Sequence, residues 1–158
     1  MENCIYYKYI QSPIGILTVI SDCKGICGIT FGKSNCIKNA VYKSTPIIEQ
    51  AIIELNEYFR GDRKVFETPI SLYGTDFQKK VWHCLTTIEY GQTMSYSQVA
   101  QLAGNKKACR AVGMANNRNP IPIIIPCHRV IGKNGTLVGY GGGIEIKKFL
   151  LKLEGLDI

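Results

Sequence analysis

The apolar positions change period part-way along the chain. Residues 6–10, 15–21 and 25–31 are short runs rich in Ile, Tyr, Thr and Val, separated by Pro13-Ile14-Gly15 and the turn at 22–25. That pattern predicts a small antiparallel sheet. Thr45-Pro46 then has the form of a helix start, and Ile47, Ile48, Ala51, Ile52, Leu55, Tyr58 and Phe59 fall on one helical stripe that Gly61 ends. Gly61-Asp62-Arg63-Lys64 and Ser71-Leu72-Tyr73-Gly74 break the periodicity, so two domains are expected, 1–70 and 71–158.

The second half reads as mostly helical. Thr75 and Gln78 form a capping box ahead of a stripe of Phe77, Val81, Trp82, Leu85 and Ile88, predicting a helix to about Glu89. A second helix is expected from Ser95 or Ser97, with Val99, Ala100, Leu102 and Ala103 inward and Gly104 as its stop. A third follows Asn105, runs from Lys106 through Met114 and is basic. Two short helices joined by Gly104-Asn105 outline a helix-turn-helix, although an ordinary helical hairpin has the same pattern. The apolar run at 121–125 predicts a strand ending at Pro126, and the last helix ends in Leu153-Glu154-Gly155. The fold class is therefore α/β (α+β).

Composition narrows the function classes. At 158 residues, 46% apolar and 20% charged, the chain has material for an ordinary globular core. No stretch approaches the ~20 continuous apolar residues of a membrane span, and Met1-Glu2-Asn3-Cys4 has no basic region followed by an apolar one, so a cytoplasmic location is expected. Seven cysteines are an odd number in a chain that needs no staples, which points to free thiols. Charge is uneven: residues 74–158 hold eleven Lys or Arg against five Asp or Glu, while residues 1–73 hold eight against seven. Such asymmetry fits an anionic partner for the second half, or simply a basic surface.

Pro126-Cys127-His128-Arg129-Val130 carries the chemistry. Cationic or basic neighbours lower a thiol's pKa from about 8.5, and Pro126 stiffens the backbone entering the cysteine. Cys84 and Cys109, both on predicted helices, read as buried thiols, and His83 as structural. On residue types alone, Cys127 suits a protease nucleophile, a redox thiol or a metal ligand.

The order of parts narrows this. A basic helical hairpin is followed by Asn119-Pro120, an apolar run, Pro-Cys-His-Arg-Val, a Gly-rich segment at 139–143 and Leu-Glu-Gly. From residue 74 to 155 this series resembles the DNA alkyltransferases that act on the 6-oxygen of guanine, the methylated-DNA–protein-cysteine methyltransferases. The resemblance implies a ribonuclease-H-like N-terminal unit and a winged-helix-like C-terminal one. It also implies an irreversible, single-turnover transfer of the alkyl group from 6-O-methylguanine in duplex DNA to Cys127, with 4-O-methylthymine as a further candidate substrate. His128 matches the base acting through water, Glu154 the carboxylate orienting it, Tyr96 the donor to the departing guanine, and Asn119 the brace of the active-site turn. Arg110 matches the residue that fills the gap left by the flipped nucleotide, in a helix-turn-helix that enters the minor groove. The DNA- and substrate-contacting set further includes Ser95, Lys106, Lys107, Ala111, Asn116 and Arg129. Tyr140, Gly141 and Gly142 match the loop over the base, with Gly141 standing where many relatives have serine, and the Cys127 and Val130 carbonyls would read the exocyclic amine. No cofactor is implied. Some relatives bind a structural zinc, but Cys4, Cys23 and Cys27 lack a convincing fourth ligand here, so no metal is expected. The protein is expected to be a monomer.

Overall fold

The computed structural model describes residues 4–34 and 37–158, in two compact units, Met1–Tyr73 and Gly74–Ile158. In the first, β1 (Ile5–Ser12), β2 (Gly15–Ser21), β3 (Ile26–Phe31) and β4 (Ala40–Tyr42) form one sheet in the order β3-β2-β1-β4. The first three strands are antiparallel neighbours, as their hairpin turns require, and β4 adds parallel to β1. Sequence pattern predicts no β4, because three residues carry too little periodicity. Asp22 closes the β2–β3 turn by accepting from the Lys24 and Gly25 amides at 2.7 and 2.9 Å. Gly25 is needed there: a Cβ would lie 2.7 Å from the Pro69 carbonyl oxygen, where Ile26 donates to that same carbonyl.

Helix α1 (Pro46–Phe59) starts on the Thr45 side chain and buries Ile48, Ala51, Leu55 and Tyr58 against one face of the sheet, where Leu17, Val19 and Ile29 are buried in turn. Its inward face also holds Glu54, whose Oε1 accepts from the Glu67 amide and from the amide and hydroxyl of Thr68. A carboxylate on an apolar stripe thus ties the helix to the segment leading out of the unit.

The second unit has α2 (Asp76–Leu85), β5 (Met94–Ser95), α3 (Tyr96–Leu102), α4 (Cys109–Asn117), a 3-10 turn at Cys127–Arg129, β6 (Val130–Ile131) and α5 (Ile144–Leu153). The Thr75–Gln78 capping box opens α2. The helix stops at Leu85 rather than Glu89, with the Thr86 and Thr87 hydroxyls donating to the His83 and Cys84 carbonyls at 2.6 Å. Ile88 is nevertheless buried in the turn beyond. Trp82 donates its indole N–H to the Ala115 carbonyl at 2.8 Å, fixing α2 on α4.

Residues 121–125 do not form the expected strand. Pro120, Pro122 and Pro126 supply no amide hydrogen for a ladder, and Ile123 takes a left-handed φ of 76°. The run is instead a buried turn, closed by the Ile125 amide on the Ile121 carbonyl at 2.9 Å, with Ile121, Ile123 and Ile125 all in the core. Among the described residues no helix is long and apolar enough to cross a membrane.

Candidate active site

Cys127 opens the 3-10 turn that follows this buried segment, and its side chain is 3% exposed. Asn119 spans the approach: its Nδ2 donates to the Ile125 carbonyl at 2.8 Å, its Oδ1 accepts from the Ile121 amide at 2.9 Å, and its side chain is near enough to favour the thiolate. Two-residue strands set the other wall. Met94 pairs with Val130 and Ser95 with Ile131, in parallel, which brings the start of α3, and with it Tyr96, beside the thiol. Pairing this short leaves no periodic trace in a sequence.

Glu154 is the organising charge. It follows α5, is buried, and accepts from His128 Nε2 at 2.5 Å, Arg129 Nε at 2.8 Å, Arg129 Nη2 at 3.2 Å and the Gly91 amide at 3.0 Å. Arg129 Nη1 donates onward to the Ile88 carbonyl at 2.6 Å. Arg129, expected at DNA, is therefore a buried partner of Glu154 instead. Asn116, also expected at DNA, is buried too, with its Nδ2 3.4 Å from the Cys127 carbonyl. Both corrections have one cause: a polar residue next to a motif looks like surface in sequence, but a buried backbone turn needs donors of its own.

Lys147 lies outside the sequence motifs. It is fully buried, donates through Nζ to the Val130 carbonyl at 2.6 Å and the Val138 carbonyl at 3.2 Å, and lies within electrostatic reach of the thiol. A signal existed: Lys147, Leu150, Leu151 and Glu154 sit at the i, i+3, i+4, i+7 positions of one helical stripe, so both charges face inward. The Val130 carbonyl, expected to read a base, already accepts this ammonium.

Burial governs the electrostatics. It pushes the Cys127 thiol up to about 11, against the opposing pull of Asn119 and Lys147. The expectation of a resting thiol lowered by the histidine and arginine beside it thus fails, because Arg129 is engaged with Glu154 and burial dominates. Burial lowers the His128 pKa, with Glu154 acting the other way, so the ring is neutral at pH 7. It brings Lys147 down to about 8, which keeps the ammonium mostly charged at neutral pH.

The remaining candidates fall into two groups. Tyr140 lies half-buried within electrostatic range of Cys127, its phenol raised well above the usual value by burial. Gly141 and Gly142 follow it; a Cβ on Gly141 would meet nothing within 4 Å, so glycine is not sterically required there. The Tyr96 hydroxyl donates to the Val138 carbonyl at 3.0 Å. On α4, Arg110 and Ala111 are exposed with Met114 and Asn117 on one outward stripe. Lys106 and Lys107, expected within that helix, lie in the exposed turn before it, where Asn105 accepts from the Lys107 amide at 3.1 Å. Ser95 is half-buried and caps α3: its hydroxyl accepts from the Gln98 amide at 3.2 Å, and Gln98 returns a bond to the Ser95 amide. Ser95→Ala is accordingly expected to cost about 1 kcal/mol of stability in urea unfolding. Thermodynamic stability unchanged by the substitution would contradict the capping role.

His83 is exposed on α2 and, with Lys79, Lys80, Cys84 and Leu102, lines an open cavity of about 550 Å³ that contains none of these site residues. Cys4 and Cys23 are exposed, Cys27 is half-buried, and Cys36 lies outside the described residues. Among the described residues no three His, Cys, Asp or Glu side chains gather to hold a metal.

A helix pair with an exposed arginine, packed around a buried thiol and a histidine–carboxylate couple, is the construction of a group-transfer protein that works on nucleic acid. The chain belongs to the 6-O-methylguanine DNA methyltransferase family: residues 76–156 match its DNA binding domain and residues 5–72 its ribonuclease-like domain. The methylated-DNA–protein-cysteine methyltransferase of Methanosarcina acetivorans is 46% identical over 154 residues, covering 96% of this chain and 99% of that protein. The constitutive one of Bacillus subtilis is 44% identical over 159 residues, covering 96% of each. Among solved structures, Mycobacterium tuberculosis OGT in complex with DNA superposes with a TM-score of 0.88 at 44% identity, covering 94% of this chain and 92% of that one.

Proposed function

We propose that this protein repairs DNA by direct reversal, taking the alkyl group of 6-O-methylguanine onto Cys127. The observation that carries the reading is the buried thiol, on a turn braced by Asn119 and next in sequence to the His128–Glu154 couple, in a chain whose relatives carry the name of that activity. The domain roles follow: residues 1–70 as a structural unit, residues 71–158 as the DNA-binding acceptor. A cytoplasmic location accompanies this reading.

The chemistry can be followed atom by atom. Glu154 holds the proton of His128 on Nε2, so Nδ1 is the basic nitrogen of the ring. The Cys127 proton passes to it, directly or through a water, only once a substrate excludes bulk solvent. The sulfur then attacks the alkyl carbon, the S–C bond forms, the C–O bond breaks, and its electron pair leaves with the guanine. Lys147 keeps a positive charge beside the thiolate, and the neutral resting thiol protects the protein from spending its acceptor on stray electrophiles. Tyr96 serves the departing base by exchanging the Val138 carbonyl for the guanine ring nitrogen. Arg110, on the exposed stripe of α4, enters the minor groove and fills the space of the flipped nucleotide, with Ala111 allowing close approach and Lys106 and Lys107 at phosphates. Tyr140, Gly141 and Gly142 close over the base. A thioether is not a disulfide, so cellular thiols do not regenerate Cys127 and each molecule acts once.

Intact mass after incubation with duplex DNA containing 6-O-methylguanine tests the proposal. One methylene per protein, located on the Cys127 peptide, is the expected result. Repeated turnover, or no gain, refutes it.

A further inference from the structure

The N-terminal sheet has a second face that α1 does not cover. Register places Tyr7 opposite Ile20 and Tyr42, and Tyr9 opposite Thr18, all on the face away from Leu17 and Val19. The three tyrosine rings form one cluster, with centroids 5.2 to 5.7 Å apart. Tyr42 remains 49% exposed.

Lysines surround these rings. Lys8 Nζ lies 4.7 Å from the Tyr42 centroid and Lys33 Nζ 5.4 Å from that of Tyr9. Among the described residues no carboxylate pairs with either lysine. The near-neutral balance of this half conceals a segregation: residues 4–43 hold five lysines and one acid, Asp22, while residues 44–73 hold five acids and three basic residues. Asp22 is committed to Ser71, Tyr73 and its own turn. Lysines alone would protect the β4 edge from strand addition; an exposed aromatic cluster works against that purpose. Rings and ammonium groups together suit a polymer of flat bases and phosphates.

We propose that this face is a second nucleic-acid surface, separate from α4, which takes a single-stranded segment by stacking unpaired bases on Tyr7, Tyr9 and Tyr42 and holding phosphates on Lys8 and Lys33. A duplex hides its base faces, so the commitment is to unpaired strands. The inference goes beyond the alkyl-transfer reading, and its test uses undamaged DNA so that the two fail separately.

Fluorescence anisotropy of the full chain with a labelled oligothymidylate and with an undamaged duplex supplies the measurement. The double variant Tyr7→Ala/Tyr42→Ala is expected to weaken single-strand affinity on the order of tenfold or more, while duplex affinity and the rate of transfer from the free base 6-O-methylguanine stay within twofold. Lys33→Ala, a surface change with little risk to folding, is expected to reduce the log-affinity against log-salt slope for the single strand by about 0.7. Unchanged single-strand binding in both variants overturns the proposal. So does an equal loss on the duplex, or a concentration-dependent dimer in sedimentation that the tyrosine variant abolishes, since that would make the face a contact between copies.

Discussion

Cys127→Ala is expected to end alkyl transfer altogether, and Cys127→Ser to do nearly the same, while both proteins stay folded. Alanine has no acceptor atom. Serine has one, but burial that pushes a thiol up to about 11 would hold a hydroxyl, a far weaker acid, beyond the reach of a neutral imidazole. The sulfur makes little structural difference, because Asn119 and Asn116 brace the turn through backbone carbonyls. A second readout follows from linkage. The folded-state pKa of Cys127 is raised above its ordinary 9.0, so the neutral thiol's contribution to stability is fully present below about pH 9 and is lost as pH rises toward 11. Cys127→Ala lacks that loss, and urea unfolding at pH 7 and pH 10.5 should show the wild type declining relative to the variant. A methylene gain in Cys127→Ala would move the acceptor elsewhere; parallel pH profiles would mean the thiol is not raised in the fold.

What could be read in advance was what local chemistry determines. The strands 15–21 and 25–31, the caps at Thr45, Thr75 and Ser95, and the inward stripes of α1 and α2 are each decided within a few residues, by alternation, by a side-chain acceptor or by a 3.6-residue repeat. Non-local pairing left no such mark. β4, β5 and β6 have two or three residues each, yet the β5–β6 pair is what sets Tyr96 beside Cys127. The run at 121–125 has strand composition, but Pro122 within it and Pro120 and Pro126 at its ends remove amides a strand would need, a signal present in the sequence and outweighed by the isoleucines. Arg129, Asn116 and Lys147 show the opposite bias: charge suggested surface, whereas the site's backbone turn is built from buried donors. For Lys147 and Glu154 the helical stripe itself held the answer, because an inward-facing lysine and glutamate on one apolar stripe demand internal partners.

Glu154→Gln is expected to have the largest effect on the fold and to slow the chemistry separately. The carboxylate accepts from an imidazole, a guanidinium and an amide at once, all out of water. Glutamine keeps the length but offers one acceptor oxygen, and its amide nitrogen points a donor at His128 or Arg129, both donors already. Arg129 is left charged and buried, which costs about 3–5 kcal/mol when one partner of such a pair is removed. Rate loss has a different origin: without a carboxylate on Nε2, the His128 proton is no longer fixed there and Nδ1 ceases to be the reliable base, a change on the order of 10²-fold for a positioned base. Arg129→Leu separates the two effects, since it removes the guanidinium while leaving the His128–Glu154 bond. That variant is expected to lose stability but keep its transfer rate, whereas Glu154→Gln loses both, with single-turnover rates measured well below each variant's unfolding temperature. If folded Glu154→Gln transfers at the wild-type rate, Glu154 is only an anchor for Arg129 and the proton leaves Cys127 by another route.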